Sequence, residues 1–269
     1  FEEAADRISN DVIVTPLLPF ECADRKLMLK AECLQELGSF KIRAGANAIE
    51  SANEKDLING VVTASAGNFG QGVAKAAQNR GLPVHVIVPD TAAKVKVNAL
   101  LNLGAKVTTV SFSDWWKIMM TRSAGVDGFF IHPVAELEVI IGNGGIGLEI
   151  FAQFPNVDVI VVPFGGGGMI SGIALAMKAL GKKPLIVACE IESSTPLKSA
   201  KSKGKPVKVE RGKSWIDGIG STSVLPEMWP LLDELVDSVI VVSHLEAEKA
   251  LGSLSSKAHL VSEGAGAVA

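Results

Sequence analysis

Strand signals alternate with helix signals along most of the chain, and this alternation limits the fold more than any other feature. Short runs rich in β-branched and other apolar residues occur at Gly60–Thr63, Val84–Pro89, Lys106–Val110, Phe129–His132, Val157–Pro163, Leu185–Cys189 and Ser238–Val242. Helical patterns lie between them, at Gly72–Arg80, Lys94–Leu103, Ile170–Leu180 and Leu245–Lys257. Elements that alternate at this spacing predict βαβ units and an α/β fold with mostly parallel sheets.

Two segments share one plan, which is a strand, a glycine-containing loop, a helix and a second strand. In both, the same distance separates a loop glycine from the proline before the second strand, Gly67 from Pro83 and Gly168 from Pro184. We interpret them as two units in two separate sheets, while coincidental spacing in a common βαβ rhythm is the alternative. Open parallel sheets bind ligands beyond the carboxyl ends of their strands, where both loops lie. We therefore expect a ligand between two domains.

Composition excludes several classes of protein. Of the 269 residues, 48% are hydrophobic and 20% are charged, which argues against disorder. A net charge of −3 does not suit nucleic-acid binding, and the apolar runs are too short to cross a membrane. The acidic start does not resemble a targeting signal, and Cys22, Cys33 and Cys189 show no disulfide or zinc spacing. These features favour a cytoplasmic enzyme with free thiols. The lysine-rich Lys198–Lys213 is expected to be a solvated connection.

The residues with the strongest chemical signal are four consecutive glycines, Gly165, Gly166, Gly167 and Gly168, between a predicted strand and Met169. Such a loop at a helix N-terminus allows close backbone approach and presents unpaired N–H groups to an anion. A tight strand-to-helix connection is the plainer interpretation. A dinucleotide site is another, with Ser171 in place of a third glycine and Glu190 as the ribose-binding acid.

Two other segments are candidates for binding or catalysis. Lys41 lies between Phe40 and Ile42, where a partly buried amine would be nucleophilic, although most such lysines extend to solvent. The loop Ser65–Asn68 precedes a helix, and its N–H groups suit a carboxylate unless Ser or Asn only caps the helix. The isolated histidines suggest structural roles. Glu190 and Glu192 are interpreted as a surface carboxylate pair rather than cation ligands.

At these residues the chain resembles the fold-type II pyridoxal-phosphate enzymes, specifically the serine/threonine dehydratase (ammonia-lyase) and serine racemase family. The motifs that carry the resemblance are Thr15–Leu17, Lys30–Gln35, Gly38–Arg43, Ser65–Gly72, Gly142–Ile150, Pro163–Ile173, Asp217–Ile219 and Glu263–Ala267. The stretch Trp215–Pro230 is more similar to the phenylserine- and threonine-dehydratase-like branch. The resemblance covers nearly the whole chain.

The resemblance implies a role for each candidate residue. Lys41 would form the Schiff base with pyridoxal 5'-phosphate and act as the catalytic base. The cofactor would also contact Phe40, Asn68, Gly165, Gly166, Gly167, Gly168, Met169, Gly218 and Glu263. The substrate carboxylate would bind at Ser65, Ala66, Gly67 and Asn68. Phe69 stands where the family often has His, so we expect a different substrate shape near that loop. The second acid of the family's metal site is missing after Glu190, so the metal content stays unknown.

The resemblance also implies the architecture and the reaction. We expect two open, twisted parallel-sheet domains with the cofactor in the cleft between them. Residues 1–43 and 141–269 would form the large domain, and residues 44–140 the small one. The implied reaction is ammonia release from a small substrate such as L-threonine or L-serine, catalysed by a homo-oligomer (dimer or tetramer). The alternatives are a racemase, a lyase acting on a phenylserine-like substrate, a nucleotide-dependent oxidoreductase and a silent binding protein. Because no residue follows Ala269 to meet the pyridine nitrogen, we expect a longer natural protein.

Overall fold

A computed structural model describes residues 1–22 and 25–269, and these residues form two compact units. Unit 1 comprises Phe1–Ile13 and Gln35–Asn143, and unit 2 comprises Val14–Leu34 and Gly144–Ala269. The domain bounds expected from the sequence, and the assignment of the large domain to the cofactor, stay predictions. Ala23 and Asp24 are outside the described residues, as is the side chain of Cys22, for which a free thiol was expected.

Strands and helices alternate in the order that the sequence predicts. The strands are β1 (Leu17–Cys22), β2 (Arg25–Lys30), β3 (Val61–Ala64), β4 (Val84–Pro89), β5 (Lys106–Val110), β6 (Phe129–Phe130), β7 (Val159–Pro163), β8 (Leu185–Ile191) and β9 (Ser238–Val242). The helices are α1 (Glu2–Arg7), α2 (Lys41–Glu50), α3 (Asn68–Asn79), α4 (Lys94–Asn102), α5 (Phe112–Thr121), α6 (Leu137–Gln153), α7 (Gly168–Ala179), α8 (Pro196–Lys203), α9 (Trp229–Leu235) and α10 (His244–Ala258). Among the described residues, none of these helices combines the length and the apolar character that a membrane span requires.

Unit 1 is built on a four-stranded parallel sheet in the order β5-β4-β3-β6. Strand β3 is buried along its whole length, and its Thr63 hydroxyl donates to the carbonyl of Ile131 at 2.8 Å. Apolar residues of α2, α3 and β4 form one continuous core around this strand. The loop between β3 and α3 therefore leaves the sheet at the carboxyl edge of a buried central strand, which is where ligands bind in such sheets.

Unit 2 contains a second, separate parallel sheet in the order β7-β8-β9. The prediction of two sheets is therefore confirmed, together with the α/β class. Strands β1 and β2 form an antiparallel hairpin that the sequence analysis did not predict. Lys30 on β2 binds Glu149 of α6 at 2.5 Å and also donates to the carbonyl of Thr15 at 2.6 Å, which ties the hairpin to the helix.

Helices α2 and α3 pack together in unit 1 with almost no side chain between them. A Cβ atom on Gly72 would lie 2.7 Å from the carbonyl oxygen of Lys41, and one on Gly45 would lie 2.8 Å from the backbone nitrogen of Val73. Both distances are shorter than real carbon contacts, so only glycine permits this approach. The packing places the first turn of α2 directly beside α3.

The lysine-rich segment differs from its prediction as a solvated connection. Its first residues, Lys198 to Lys203, belong to α8, and Ala200 is fully buried. From Gly204 the chain leaves the helix, and most of the basic side chains are exposed, as expected. The segment is thus part helix and part connection, because α8 packs its apolar side on unit 2.

Glu190 is not part of a surface carboxylate pair, and that interpretation is wrong. It lies within β8 and is 1% exposed, and its carboxylate accepts the N–H groups of Leu197 at 2.7 Å and Lys198 at 3.0 Å. The side chain therefore caps the first turn of α8. Burial raises its pKa from 4.5 to about 7, against the lowering effect of these hydrogen bonds. Glu192 is exposed and contacts His244 instead.

The raised pKa of Glu190 predicts a pH-dependent stability. The neutral carboxyl favours the folded state fully below pH 4.5, and this contribution is lost as the pH rises through about 7. The parent loses this contribution as the pH rises, and Glu190→Gln does not. The unfolding free energy of Glu190→Gln minus that of the parent should therefore increase by about 1–3 kcal/mol from about pH 4.5 to about pH 8. Urea unfolding at both pH values measures this gain. Glu248→Gln, at an exposed position, is the control. If the difference in unfolding free energy between Glu190→Gln and the parent did not change with pH, the raised pKa of Glu190 would be contradicted.

Candidate active site

Lys41 is the first residue of α2, and Phe40 caps the helix. The Lys41 Nζ lies 4.6 Å from the centroid of the Phe40 ring, over the aromatic face. Both side chains are half-buried, whereas Ile42 to Ile49 are buried in unit 1. The backbone of Lys41 is thus fixed by a buried helix, while its amine remains at the edge of the core beside an aromatic ring.

The predicted carboxylate loop, Ser65–Asn68, connects β3 to α3. Gly67 caps α3 in an extended conformation, and its N–H donates to the Ser65 hydroxyl at 3.4 Å. The loop residues are half-buried, and Ala66 packs against the core of unit 1. At this position the first-turn N–H groups of a twelve-residue helix can bind an anion, because Gly67 has no side chain that would cap the helix.

Unit 1 brings Lys41 close to α3, whose first residue is Asn68. Gly72, one helical turn after Asn68, is the residue that contacts the Lys41 carbonyl. Phe69 is 3% exposed and belongs to the core of the unit. Its ring therefore contributes to the core of unit 1, and the expected effect of Phe69 on the substrate's shape stays a prediction.

The glycine loop of unit 2 connects β7 to α7. Its start is fixed by the Phe164 N–H, which donates to the Cys189 carbonyl at 2.8 Å. Gly167 caps α7 with φ +99°, and a Cβ atom there would lie 2.9 Å from Cδ1 of Leu232. Neither the backbone conformation nor the space admits a side chain. The loop therefore presents main-chain N–H groups at the start of a twelve-residue helix.

Gly218 and Glu263 lie beside this loop in the same unit. A Cβ atom on Gly165 would be 3.3 Å from the Gly218 carbonyl oxygen, and one on Gly218 would be 3.1 Å from Oε1 of Glu263. The structure thus brings together the glycine loop, Gly218 and Glu263, which are far apart in the sequence. These are the residues of unit 2 for which the resemblance implied contact with one cofactor.

The sequence analysis missed several polar groups around the glycine loop. The Ser221 hydroxyl oxygen lies 3.4 Å from the Gly165 carbonyl oxygen and 3.1 Å from the Ser223 carbonyl oxygen, and either can accept its proton. Ser171, in the first turn of α7, is fully buried, and its hydroxyl has no hydrogen-bond partner. The sequence analysis named Ser171 only as part of a dinucleotide pattern and did not predict its burial, whereas nothing local in the sequence indicates Ser221.

The remaining candidates do not assemble into a second cofactor site. Glu190 is occupied by the α8 backbone, so it does not serve as the ribose-binding acid of a dinucleotide site. Within residues 1–22 and 25–269, no three His, Cys, Asp or Glu side chains form a group that could hold a metal ion. His85 and His132 hydrogen-bond to neighbouring residues, which fits their predicted structural role. Cys33 and Cys189 are free thiols.

Comparison with known proteins identifies relatives along nearly the whole chain. An L-threonine ammonia-lyase of Thermotoga maritima is 36% identical over 92% of this chain and 62% of its own length. A serine racemase of Arabidopsis thaliana is 34% identical over 93% of this chain and 77% of its own length. The solved structure of maize serine racemase covers 99% of this chain and 83% of that one, with 32% identity and a TM-score of 0.93.

The chain therefore spans less than two thirds of the length of the Thermotoga relative. The family model described as "Pyridoxal-phosphate dependent enzyme" matches residues 8–269. This match includes both glycine loops and Lys41, and it agrees with the fold of the maize enzyme. The chain belongs to the pyridoxal-phosphate dependent enzyme family, in its fold-type II branch.

Proposed function

We propose that this protein is an ammonia-lyase that converts a β-hydroxy amino acid, such as L-threonine or L-serine, to a 2-oxo acid and ammonia. Its relatives include both threonine ammonia-lyases and serine racemases at similar identity. The observation that favours the lyase is Ala66, since the middle of the carboxylate loop carries a methyl group and no proton donor. A dimer or tetramer in the cytoplasm is part of the same proposal.

The residues of unit 2 fit the phosphate of the cofactor. Gly165, Gly166, Gly167, Gly168 and Met169 would bind it through backbone N–H groups at the positive end of α7. The buried Ser171 hydroxyl, which lacks a partner, is consistent with a polar ligand near this helix start. Gly218 and Glu263 would lie along the ring. Pyridoxal phosphate, when bound, supplies an electron sink for the negative charge on the substrate α-carbon.

The residues of unit 1 would attach the cofactor and orient the substrate. Lys41 would be the point of covalent attachment, with Phe40 against the ring and Asn68 at the ring hydroxyl. Ser65, Ala66, Gly67 and Asn68 would hold the substrate carboxylate through the N–H groups at the start of α3. Once released, the Lys41 amine would take the proton from the substrate α-carbon. The orientation of the carboxylate decides which α-bond breaks.

Gly167 provides a test of the phosphate site. Gly167→Ala combines positive-φ strain with a clash against Leu232, so it should displace the loop and lower cofactor retention by at least about tenfold. The matched control is Gly181→Ala, which has φ +70° but open space around its Cβ. Cofactor absorbance after dialysis measures retention. Equal retention by the two variants would exclude this loop as the phosphate site.

Ala66 provides a test of the reaction. Racemisation needs a proton donor on the face of the α-carbon opposite Lys41, and a positioned general acid contributes about 10²–10⁴-fold. From L-serine, the protein should therefore form pyruvate about 10²-fold faster than it forms D-serine.

The matched variants are Ala66→Ser, which should raise the proportion of D-serine, and the exposed Ala93→Ser as control. Threonine and phenylserine, assayed for 2-oxo acid, identify the preferred side chain. If the parent protein racemised L-serine faster than it eliminated water from it, the lyase proposal would be wrong and the protein would be a racemase. Absence of any product from cofactor-saturated protein would instead support the silent binding protein.

A further inference from the structure

Three side chains in unit 2, remote from each other in sequence, form a continuous hydrogen-bonded line. Oε1 of Glu192 lies 3.0 Å from Nδ1 of His244, and Nε2 of His244 lies 2.9 Å from the Ser214 hydroxyl. None of these residues belongs to the proposed lyase site. The sequence analysis assigned His244 a structural role because nothing in the sequence links it to Ser214.

The hydrogen bonds select the tautomer that activates a serine. The backbone and side-chain N–H groups of His244 keep the pKa of the Glu192 carboxyl below its usual value, so this group is an acceptor at neutral pH. Nδ1 must then carry a proton and donate it to Glu192. Nε2 is left as the acceptor for the Ser214 hydroxyl. A nucleophile, a base and an orienting carboxylate are thus arranged in the required order.

The backbone fixes His244 and Glu192 relative to each other. The His244 N–H donates to the same Glu192 oxygen at 2.8 Å, and the Glu192 N–H donates to the Val242 carbonyl at 2.9 Å. Ser243 and Glu246 form a reciprocal cap that sets where α10 begins. Both the backbone N–H and the ring nitrogen Nδ1 of His244 therefore bind the Glu192 carboxylate, which fixes the position of the imidazole.

Ser214 is held from the other side of the line. The Ile216 N–H donates to its hydroxyl oxygen at 3.0 Å, and the Gly212 N–H donates to the Ser193 carbonyl at 2.7 Å. The first of these bonds stabilises negative charge on the serine oxygen as its proton moves to the imidazole.

The line is accessible and has apolar neighbours. The Glu192 and His244 side chains are 51% and 25% exposed. Trp215, next to the serine, is 51% exposed, and Leu245, next to the histidine, is 58% exposed. An aromatic group can pack on such exposed apolar surfaces.

We propose that Ser214, His244 and Glu192 form a second catalytic centre that hydrolyses small activated esters, such as aryl acetates. The Ser214 oxygen bonds to the ester carbonyl carbon while its proton passes to Nε2 of His244. The bond from that carbon to the alcohol oxygen breaks, and the alcohol takes its electron pair and the proton from Nε2. Water then attacks the acyl-serine by the same route, which releases the acid and restores the serine.

A fluorophosphonate probe and p-nitrophenyl acetate test this centre in the whole protein. The probe should label Ser214, as peptide mapping by mass spectrometry shows, and the ester should be cleaved with transient acylation of Ser214. Ser214→Ala should abolish labelling, and His244→Gln should slow it about 10²-fold because the general base is lost. Glu192→Gln should slow it less.

Two matched controls lie at the C-terminal end of α10, Ser256 in its last turn and His259 directly after it. Ser256→Ala removes an exposed serine that donates to the Gly252 carbonyl, and His259→Asn removes an exposed histidine in a left-handed conformation that Asn tolerates. Neither should change labelling or ester cleavage. Thermal unfolding of each variant shows whether it is folded, and His244→Gln keeps the nucleophile in place should Ser214→Ala fail to fold.

The opposite results overturn the proposal. Labelling of native protein no faster than of urea-unfolded protein would show that Ser214 is not activated. Labelling unaffected by His244→Gln would give His244 a purely structural role, holding residues 212–216. Loss of ester cleavage in His259→Asn would assign the activity to surface imidazole. The lyase assay is independent of all these outcomes.

Discussion

Helices α2 and α3 approach each other so closely that their backbones touch, and the arrangement of unit 1 depends on this contact. Gly72 lies against the carbonyl of Lys41, and Gly45 lies against the backbone of Val73. Any larger residue would force the helices apart, because its Cβ atom would lie only 2.7 or 2.8 Å from backbone atoms of the other helix. The contact holds Lys41 at the start of one buried helix, beside the helix that begins with Asn68. The start of α2 and the loop before α3 are thereby held beside each other by backbone packing.

Unit 2 uses backbone geometry in a related way. Its glycine loop is shaped by a positive φ at Gly167 and by Leu232 behind it, while Gly218 brings Glu263 to the side of the loop. An anion held there would be bound by N–H groups and the α7 dipole. Such a site needs no lysine or arginine, and its affinity is set by the positions of main-chain atoms. A single added methyl group in this loop should therefore lower the affinity for an anion more than the loss of a charge on the surface would.

The sequence predicts regular elements well where packing agrees with local propensity. Strands β4, β5 and β9 begin and end at the predicted residues, and the two sheets follow from the repeated strand-loop-helix plan. The α7 helix begins at Gly168 rather than at the predicted Ile170, and α6 was not predicted at all. Both contain glycines that propensity disfavours in helices, and tertiary packing overrides that preference. In α6, Gly147 lies against α7, so its lack of a side chain serves the packing.

The chemistry was less visible in the sequence than the fold. The glycine loop indicated an anion from its own pattern, whereas the role of Lys41 came from resemblance to a family, because a lysine between Phe40 and Ile42 is not distinctive. Glu190 was misinterpreted because its partners, the Leu197 and Lys198 N–H groups, become available only when α8 folds against β8. The line of Ser214, His244 and Glu192 also exists only in three dimensions. Groups that act through tertiary contacts leave little signal in a single sequence.

The central claim is that Lys41 carries the cofactor covalently. Borohydride reduction of the cofactor-saturated protein, followed by peptide mapping, tests it most directly, with Lys41→Ala and the surface variant Lys55→Ala treated in parallel. The account predicts one pyridoxyl group, on Lys41, in the parent and in Lys55→Ala, and no stoichiometric label in Lys41→Ala. A stoichiometric pyridoxyl group on any other lysine of the parent, or none at all, would contradict it.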